Sequence, residues 1–398
     1  MDQIDEPGLG PDAAEVLGAV DRFAREVVRP AGIALDAMAD PAEVVAEGSP
    51  LWTVHARYTD LGVDSLSTAD AFDPVENALL SARITETLGW ADAGIGVGLG
   101  VARFPRYFVA LTGDEELARR YLQDAGEIGC WAITEADHGS DALAFNGDHW
   151  RRPEVRPGCV ARREGDGWVI DGSKSAWVSN GPVASVAALF CAIDGDEGFA
   201  GGGVCIVPLD LPGVSRGRPL DKLGQRSLPQ GELHFDGVRV PASNMVVGKD
   251  LYTPTVEMTL AVANAFMGST FAGLARGAYE MALDYAKERV QGGMPIIDHQ
   301  HVRSRLFQMF TKVEAATSLS RRVHLISSAG PPPVRYSIAS KTFCTRTAFE
   351  VASEALQIFG GNGLTRQYPI EKVFRDARAS MIEDGCNEML SIIGGSAL

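Results

Sequence analysis

The stretch GELHFDGVRVP (Gly231–Pro241) alternates apolar and polar residues, the period of a strand with one buried face. Leu233 and Phe235, then Val238 and Val240, supply its apolar positions. Two other glycine-bounded runs, GWVIDGSKSAWVSNG (Gly167–Gly181) and GGGVCIVPLD (Gly201–Asp210), have the same short, strand-like texture. The region from Gly129 to Gly248 is therefore predicted to form a β domain.

Helical periodicity lies on both sides of this region. In PDAAEVLGAVDRFAREVV (residues 11–28) the residues Val16, Val20, Phe23 and Val27 recur at spacings of three and four. Near the C-terminus a helical pattern ends at GGNG (360–363), a typical helix C-terminal signal. GPPPVR (330–335) separates two helices of this region, since proline cannot continue a helix. We therefore predict an all-helical domain over residues 1–126, a β domain over 127–249 and a helical bundle over 250–398.

Composition narrows the class of protein. The chain has 398 residues, 45% of them hydrophobic, and a net charge of −16, which argues against nucleic acid or an anionic membrane as the main partner. Its six cysteines lack CxxC spacing, so we expect neither a zinc site nor a disulfide framework. The acidic N-terminus does not resemble a signal peptide, and the longest apolar run, Val183–Ile193, is too short to span a bilayer. A cytoplasmic protein without a metal is expected.

The glycine-rich run GIGVGLG (Gly94–Gly100) suggests a dinucleotide-binding loop at first sight. It follows the helical segment SARITETLGW, however, and no βαβ unit surrounds it. We therefore interpret these glycines as sites of close helix packing.

Four motifs occur in a characteristic order and spacing. They are CWAITEADHGSD (Cys130–Asp141), GSKSAWVSNG (Gly172–Gly181), LDKLGQRSLPQGELHFDGVRVPASNMVVG (Leu220–Gly248) and LQIFGGNGLTRQYPIEKVFRDAR (Leu356–Arg378). As a set, the motifs resemble the acyl-CoA dehydrogenase family of flavoproteins over nearly the whole chain. The resemblance implies a multidomain α+β fold with an N-terminal helical domain, a central β-barrel-like domain and a C-terminal four-helix bundle. It also implies FAD as cofactor and a homo-oligomer, a dimer or a homotetramer.

The resemblance also implies roles for individual residues. Residues expected along the flavin are Trp131, Ile133, Thr134, Gly139 and Ser140, with Trp177 and Ser179 against its ring. Residues expected to reach the FAD of a neighbouring subunit are Arg289, Gln300, Gln357 and Gly361. Residues expected beside the FAD near the C-terminus are Cys386, Asn387 and Glu388.

The segment MIEDGCNEML (Met381–Leu390) carries two adjacent carboxylates before a glycine. In the family a glutamate in front of this glycine removes the α-proton of an acyl thioester while a β-hydride passes to flavin N5. The resemblance thus implies that Asp384 is the catalytic base, and that Ser140, Asp384 and Gly385 contact the substrate. Glu383 stands where an aromatic residue is usual, and neighbouring side chains point in different directions. Because aspartate is shorter than glutamate by one bond, about 1.5 Å, the replacement is not expected to be silent.

Other departures from the family pattern leave alternatives open. Ala263 stands where some members carry the base, and Asn264 replaces a common arginine. With the basic segment FNGDHWRRPEVRPG (Phe145–Gly158), this favours an acyl carrier protein as an alternative to CoA. The DGCN sequence also resembles nitroalkane oxidases of the family. Those enzymes pair the aspartate with a serine and an arginine, and the corresponding positions here hold Ala263 and Ser391. A third alternative is a non-catalytic partner subunit. Electron-transfer flavoprotein or oxygen is the expected electron acceptor.

Overall fold

The structure is a computed structural model that describes residues 8–63, 71–122, 126–194 and 197–398. Helices in the N-terminal part are α1 (Pro11–Phe23), α2 (Arg29–Ala37), α3 (Pro41–Val44), α4 (Pro50–Asp60), α5 (Pro74–Ala91), α6 (Ala93–Val101), α7 (Phe104–Thr112) and α8 (Glu115–Tyr121). Several begin with a proline at the first helical position, where its missing N–H is not needed. Asp73 caps α5, because its carboxylate accepts from the backbone N–H groups of Val75 and Glu76.

A π-helical turn, Ala24–Val28, joins α1 to α2 and changes which residues are buried. The predicted face is confirmed, since Val20 and Phe23 are buried and the half-buried Val16 and Val27 pack against the same core, but in the π turn the fully buried position moves on to Val28. The wider π turn adds a residue to the helical repeat, and this shifts the buried face by one position. A constant period of 3.6 residues could not predict that shift.

Strands of the central domain are β1 (Gly129–Ala132), β2 (Val160–Glu164), β3 (Gly167–Lys174), β4 (Val186–Ile193), β5 (Gly202–Pro208), β6 (Val214–Arg216), β7 (Leu233–Pro241) and β8 (Met245–Val247). They form one sheet in the order β6-β7-β3-β2-β4-β5-β8, and β1 pairs with β4 in parallel. Alternate residues of β4 face two different cores: Val186, Ala188 and Phe190 one, Ala187, Leu189 and Cys191 the other. This double burial explains the continuous apolar sequence of β4.

The alternation predicted for β7 is confirmed, with one irregularity. Leu233, Phe235, Val238 and Val240 all lie in the core of the β domain. The register with β3 shifts between Ile170, which faces Val238, and Gly172, which faces Phe235. β7 therefore contains an extra residue there, a β-bulge that keeps both Phe235 and Val238 inward.

The C-terminal part is a helical bundle. Its helices are α9 (Lys249–Glu288), α10 (Gln300–Ile326), α11 (Val334–Phe359), α12 (Ile370–Ala379) and α13 (Asn387–Gly395), with a hairpin of β9 (Val290–Gln291) and β10 (Met294–Pro295) after α9. The three long helices pack pairwise against one another, and α13 packs on α11. As predicted, GPPPVR separates α10 from α11, and α11 ends where Gly360 adopts a φ of 61°.

Helix α9 is the centre of the bundle. Its length and composition would suffice to cross a membrane, and no other helix of the described ranges meets that test. In its most apolar 18-residue window, however, 83% of the residues are buried against other elements. Gly273 of α9 meets the backbone of α5 so closely that a Cβ would overlap the Glu86 carbonyl oxygen. The helix is thus the common core on which α5, α10 and α11 pack.

The remaining two sequence expectations concern GIGVGLG and the cysteines. GIGVGLG lies in α6, where a Cβ on Gly94 would overlap the Ser227 hydroxyl and one on Gly100 the ring of Phe266. Close helix packing, not a nucleotide loop, is therefore confirmed as the role of these glycines. The cysteines are all free, and each is buried except the half-buried Cys386.

Candidate active site

The adjacent carboxylates Glu383 and Asp384 lie in the turn between α12 and α13. Asp384 has a φ of 48° and Gly385 a φ of 92°, so two consecutive residues are left-handed. Aspartate tolerates this region better than most residues because its short side chain bonds locally, and glycine has no Cβ to clash. The DG pair is therefore what this turn needs, and the turn sets the direction in which the Asp384 carboxylate leaves the backbone.

Three neighbouring elements hold this turn by consecutive backbone groups. The Asn264 Nδ2 of α9 donates to the Asp384 carbonyl oxygen at 3.4 Å. The Lys341 Nζ of α11 donates to the Gly385 carbonyl oxygen at 2.8 Å. The Cys386 N–H donates to the Ser140 hydroxyl at 2.9 Å. The bundle and the first of the four motifs thus meet at the predicted base.

The environments of the two carboxylates differ. Burial raises the pKa of Asp384 to about 6, and the positive charge of Lys341 opposes this rise. Burial raises the pKa of Glu383 to about 7, Gln225 lowers it, and the charge of Asp384 raises it again. Asp384 therefore ionises at the lower pH. Lys341 of the bundle acts on both carboxylates, whereas Gln225 and Lys222 of the β-domain loop act on Glu383.

The β domain contributes the other wall. The Lys222 Nζ donates to the Leu228 carbonyl oxygen and to the Gln230 Oε1, each at 2.7 Å. The Gln230 Nε2 in turn donates to the Trp177 carbonyl oxygen at 3.2 Å and to the Ser179 hydroxyl at 3.1 Å. The second and third motifs are therefore one hydrogen-bonded unit, and the Lys222 charge at its end lies close enough to lower the pKa of Glu383.

A buried ionic cluster fixes this wall relative to the helices. The Lys372 Nζ of α12 lies 2.6 Å from Asp92 Oδ2 and 2.5 Å from Asp376 Oδ2. Asp376 also accepts from the Gln225 backbone N–H, and the Ser227 hydroxyl donates to Asp92 Oδ1 at 2.6 Å. Breaking one partner of such a buried group leaves an unpaired charge, which costs several kcal/mol, roughly 3–5. The cluster thus fixes the loop 220–230 and α12 together, and α12 leads directly into the turn that carries Asp384.

The first motif follows β1 and lies in part within the core. Trp131 is buried and stacks on Phe104 with ring centroids 4.9 Å apart. Ile133 and Thr134 are half-buried after the strand, and Gly139 is exposed. The Trp131 ring therefore faces the N-terminal helices here, and the residues after it are the ones open to the cleft.

The turn residues after Asp384 also differ in direction. Asn387 is buried, its Nδ2 donates to the Thr345 hydroxyl at 3.1 Å, and its Oδ1 accepts from Lys341 at 2.9 Å. Cys386 is half-buried and Glu388 is exposed. The side chain of Asn387 thus points into the bundle, which leaves its backbone and its two neighbours for contact with a cofactor.

The four residues expected to reach a neighbouring subunit form a separate group. Arg289, Gln300, Gln357 and Gly361 are all exposed. Arg289 follows the end of α9, and the ring of Tyr285, one turn earlier, stacks on Phe359 at 4.0 Å. Asn264, which contacts the Asp384 turn, lies on α9 and 25 residues before Arg289, a distance of about 37 Å at 1.5 Å per residue. The structure does not bring this group to Asp384 of the same chain.

Three functional neighbours escaped the sequence interpretation. Lys341 is fully buried yet lies on the same helical face as Ile338, Cys344 and Ala348. The sequence signal that could have identified Lys341 is a lysine within an apolar stripe, because lysine is seldom fully buried unless it has partners. Lys222 and Gln225 lie in a loop without periodicity, and only the fold shows that they face Glu383.

The comparisons with known proteins agree with this geometry. Residues 130–238 match the family model of the acyl-CoA dehydrogenase middle domain, and residues 254–398 that of the C-terminal domain. The chain is 30% identical to the cyclohex-1-ene-1-carbonyl-CoA dehydrogenase of Geobacter metallireducens over 366 residues, 90% of this chain and 93% of that one. The chain is a member of the acyl-CoA dehydrogenase family.

Solved structures lead to the same fold. The butyryl-CoA dehydrogenase of Megasphaera elsdenii superposes with a TM-score of 0.84 at 25% identity, covering 98% of this chain and 99% of that one. A glutaryl-CoA dehydrogenase of Mycobacterium smegmatis, solved in complex with FADH2, superposes with a TM-score of 0.81 at 23% identity, covering 98% and 95%. Like the family, this acyl-CoA dehydrogenase is an FAD-dependent oxidoreductase acting on CH–CH bonds of an acyl-CoA. The family also links these enzymes to electron-transfer flavoprotein.

The residues of this acyl-CoA dehydrogenase fit a flavin. Trp177 is 58% exposed, so an indole face is open on the β-domain wall. Within the described ranges, Glu383 Oε2 and Gln225 Oε1 are buried without a hydrogen-bond partner. An aromatic cofactor with polar edges satisfies such a combination of an open ring and unpaired polar atoms. Trp177 and Ser179 would thus hold the ring from the β domain.

Proposed function

We propose that this enzyme introduces an α,β double bond into an acyl thioester and that Asp384 is its base. Asp384 takes the α-proton as a β-hydride leaves the substrate. The electron pair of the broken Cα–H bond forms the C=C bond, and the pair of the Cβ–H bond leaves with the hydride. Bound FAD supplies the acceptor of that hydride at N5. The observation that carries the proposal is the turn itself, whose two left-handed residues are held by α9, α11 and Ser140.

The protonation state of Asp384 suits this role. With a pKa of about 6, its carboxylate is mostly ionised at neutral pH, yet it stays a stronger base than an ordinary aspartate. Glu383 suits the role less well because it faces Gln225 and Lys222 on the β-domain side. The aspartate-for-glutamate replacement is thus accompanied by a tightly anchored turn, which supports a base whose position is set by the backbone.

The test compares two isosteric variants in the reductive half-reaction. Asp384→Asn should keep FAD and lose roughly 10²–10⁴-fold in the rate of flavin bleaching by an acyl-CoA, the usual range for loss of a general base. Glu383→Gln is the matched control and should stay within about tenfold. Rapid bleaching by Asp384→Asn, with Glu383→Gln inactive, would contradict the proposal and show that Glu383 is the base.

The same site supports a second proposal, that a neighbouring subunit completes it. Arg289, Gln300, Gln357 and Gly361 are all exposed, and Arg289 lies about 37 Å along α9 from Asn264, which contacts the Asp384 turn. Arg289 lies at the far end of α9 from Asp384, which supports an arrangement in which the two residues serve one cofactor from different copies of the chain. An arginine suits the pyrophosphate of such a cofactor. A homo-oligomer, a dimer or a homotetramer, follows from this proposal.

A carrier-protein-bound thioester is the second candidate substrate. Asn264, in place of a common arginine, is fully buried, and its amide donates to Leu260 and Asp384 carbonyl oxygens, so it cannot reach a CoA phosphate. The basic segment beside the site is anchored: Trp150 is buried and donates to the Thr253 hydroxyl at 2.9 Å. Arg151 and Arg152 follow it and are exposed.

This candidate is decided by comparing the two thioesters of one acyl group. The double variant Arg151→Glu, Arg152→Glu should raise KM at least several-fold for the acyl carrier protein and leave KM for acyl-CoA within about twofold, because surface charges act mainly on macromolecular encounter. Arg162→Glu and Arg239→Glu, exposed on the sheet, are the control. Turnover of acyl-CoA alone would remove the carrier protein from the proposal.

The nitroalkane-oxidase alternative finds no support in the site. Ala263 is buried and has no polar group, and the Ser391 hydroxyl donates to the Asn387 carbonyl oxygen at 2.7 Å within α13. Neither residue offers Asp384 the partners that those enzymes use.

A further inference from the structure

Lys341 is a fully buried lysine whose partners all belong to the catalytic turn. Its Nζ donates to the Gly385 carbonyl oxygen at 2.8 Å and to Asn387 Oδ1 at 2.9 Å. Asn387 is itself fixed by Thr345, one turn further along α11. Lysine is almost never fully buried without a specific reason, and here the bonds lead to one short segment 44 residues away.

The segment that Lys341 holds needs external support. Asp384 and Gly385 are both left-handed, and such conformations cost of order 1–3 kcal/mol for a non-glycine residue unless the surroundings impose them. The Gly385 carbonyl oxygen is the acceptor directly after the strained residue. A donor at this atom therefore fixes the peptide plane that follows Gly385, the second of the two left-handed residues.

Lys341 also brings a charge to a place with little solvent. Among the described residues its amine forms no ion pair, and every hydrogen bond described above goes to a neutral oxygen. Burial lowers the pKa of Lys341 to about 8, while the negative charges of Asp384 and Glu383 raise it. The amine is therefore mostly protonated at neutral pH, and its charge lowers the pKa of Asp384.

Other titratable groups face the pair from every side. Cys386 and Glu388 lie on the turn and the start of α13, and both raise the pKa of Lys341. Glu383 lies beside Asp384 on the turn, and Lys222 faces Glu383 from the β-domain loop. Lys341 is the group that offsets burial at Asp384.

We propose that Lys341 is a positioning residue for the reaction: its amine fixes the Asp384–Gly385 turn, and its charge keeps Asp384 ionised as the base. The inference rests on the proposed function of Asp384. It differs from a purely structural role for a buried lysine in one respect, since a structural role does not affect the pH at which the base ionises.

The test measures flavin reduction at subsaturating acyl-CoA across pH 5–9, where the acidic limb reports the base in the free enzyme. Lys341→Met should retain FAD and lower the rate at pH 7.5 by about tenfold to a hundredfold, the effect of a slightly misplaced base. Its acidic limb should move up by about one pH unit, because a nearby opposite charge has been removed. Lys341→Arg, which retains the charge, should keep the limb near its original position.

Lys312→Met is the control. Lys312 is a partly exposed lysine of α10 that pairs with Glu350 of α11, the helix that carries Lys341. It should change neither rate nor limb. If Lys341→Met does not fold, Asn387→Asp decides the question, because it places a carboxylate against Lys341 and should also raise the limb.

Two results overturn the inference. One is a folded, FAD-loaded Lys341→Met enzyme with the wild-type rate and limb. The other is a lowered rate with an unmoved limb, which would leave Lys341 a structural role only. Failure of the proposed function is recognised separately, because Asp384→Asn would then reduce its flavin normally whatever Lys341 does.

Discussion

Two neighbouring carboxylates acquire different chemistry from what each one faces. Asp384 leaves a left-handed turn toward Lys341 of the bundle, and Glu383 faces Gln225 and Lys222 of the β domain. The family resemblance selected Asp384, because it stands directly before the glycine that follows the base in the family. It could not assign a role to Glu383, because the residues around it come from a loop about 160 positions earlier.

Glu383 is expected to destabilise the enzyme once it ionises. Its folded pKa of about 7 lies above the usual 4.5, so the stabilisation from its protonated form is complete below pH 4.5 and is lost as the pH rises through 7. Glu383→Gln, which stays neutral, should therefore raise the free energy of unfolding at pH 8 by on the order of 1–3 kcal/mol and change it little at pH 5.

Thermal unfolding of the FAD-loaded protein at the two pH values measures this difference. Glu388→Gln is the matched control, since Glu388 lies on the same segment but is exposed. Equal shifts of Tm at pH 5 and pH 8 for Glu383→Gln would contradict a buried, proton-sensitive carboxyl at this position.

At the level of elements, the periodic segments were predictable and the interruptions were not. The alternation in β7 gave the correct buried face. The π turn at Ala24–Val28 and the bulge opposite Ile170 each add one residue to a repeat, and a fixed period has no means to represent that. Both irregularities change which residues face inward.

The elements of the active site show the same division. Ser140, Trp177, Ser179 and Asp384 could be located from motifs, and the structure brings their segments together through Lys222, Gln230 and Cys386. The ionic cluster of Lys372 and Asp376 on α12 with Asp92 joins two parts of the chain, and the loop of Gln225 and Ser227 adds a third. Such a long-range cluster leaves no local signal, because each member alone resembles an ordinary surface charge.

On the scale of the whole molecule, the proposed sharing of FAD between subunits predicts complementation. Asp384→Asn and Arg289→Ala, each expected to be poorly active alone, should together recover activity when co-expressed with different tags. In a mixed oligomer one kind of site combines an intact Asp384 from one chain with an intact Arg289 from the other.

Purified mixed oligomers and their rates of flavin bleaching test this arrangement. Co-expressed Asp384→Asn and Lys341→Met are the control pair and should stay near the sum of the two separate variants, because both residues act in the same half-site. Absence of recovery in the first pair, with mixed oligomers present, would place Arg289 outside the partner's FAD site.

The most direct test of the central claim isolates proton removal from hydride transfer. An acyl-CoA whose Cβ is bonded to three carbon atoms besides Cα has no β-hydrogen to lose, so in D2O the enzyme can only exchange its α-protons, which mass spectrometry follows. Wild type and Glu383→Gln should incorporate deuterium at Cα, and Asp384→Asn should be slower by roughly 10²-fold or more. Undiminished exchange by Asp384→Asn, with exchange lost in Glu383→Gln, would contradict Asp384 as the base.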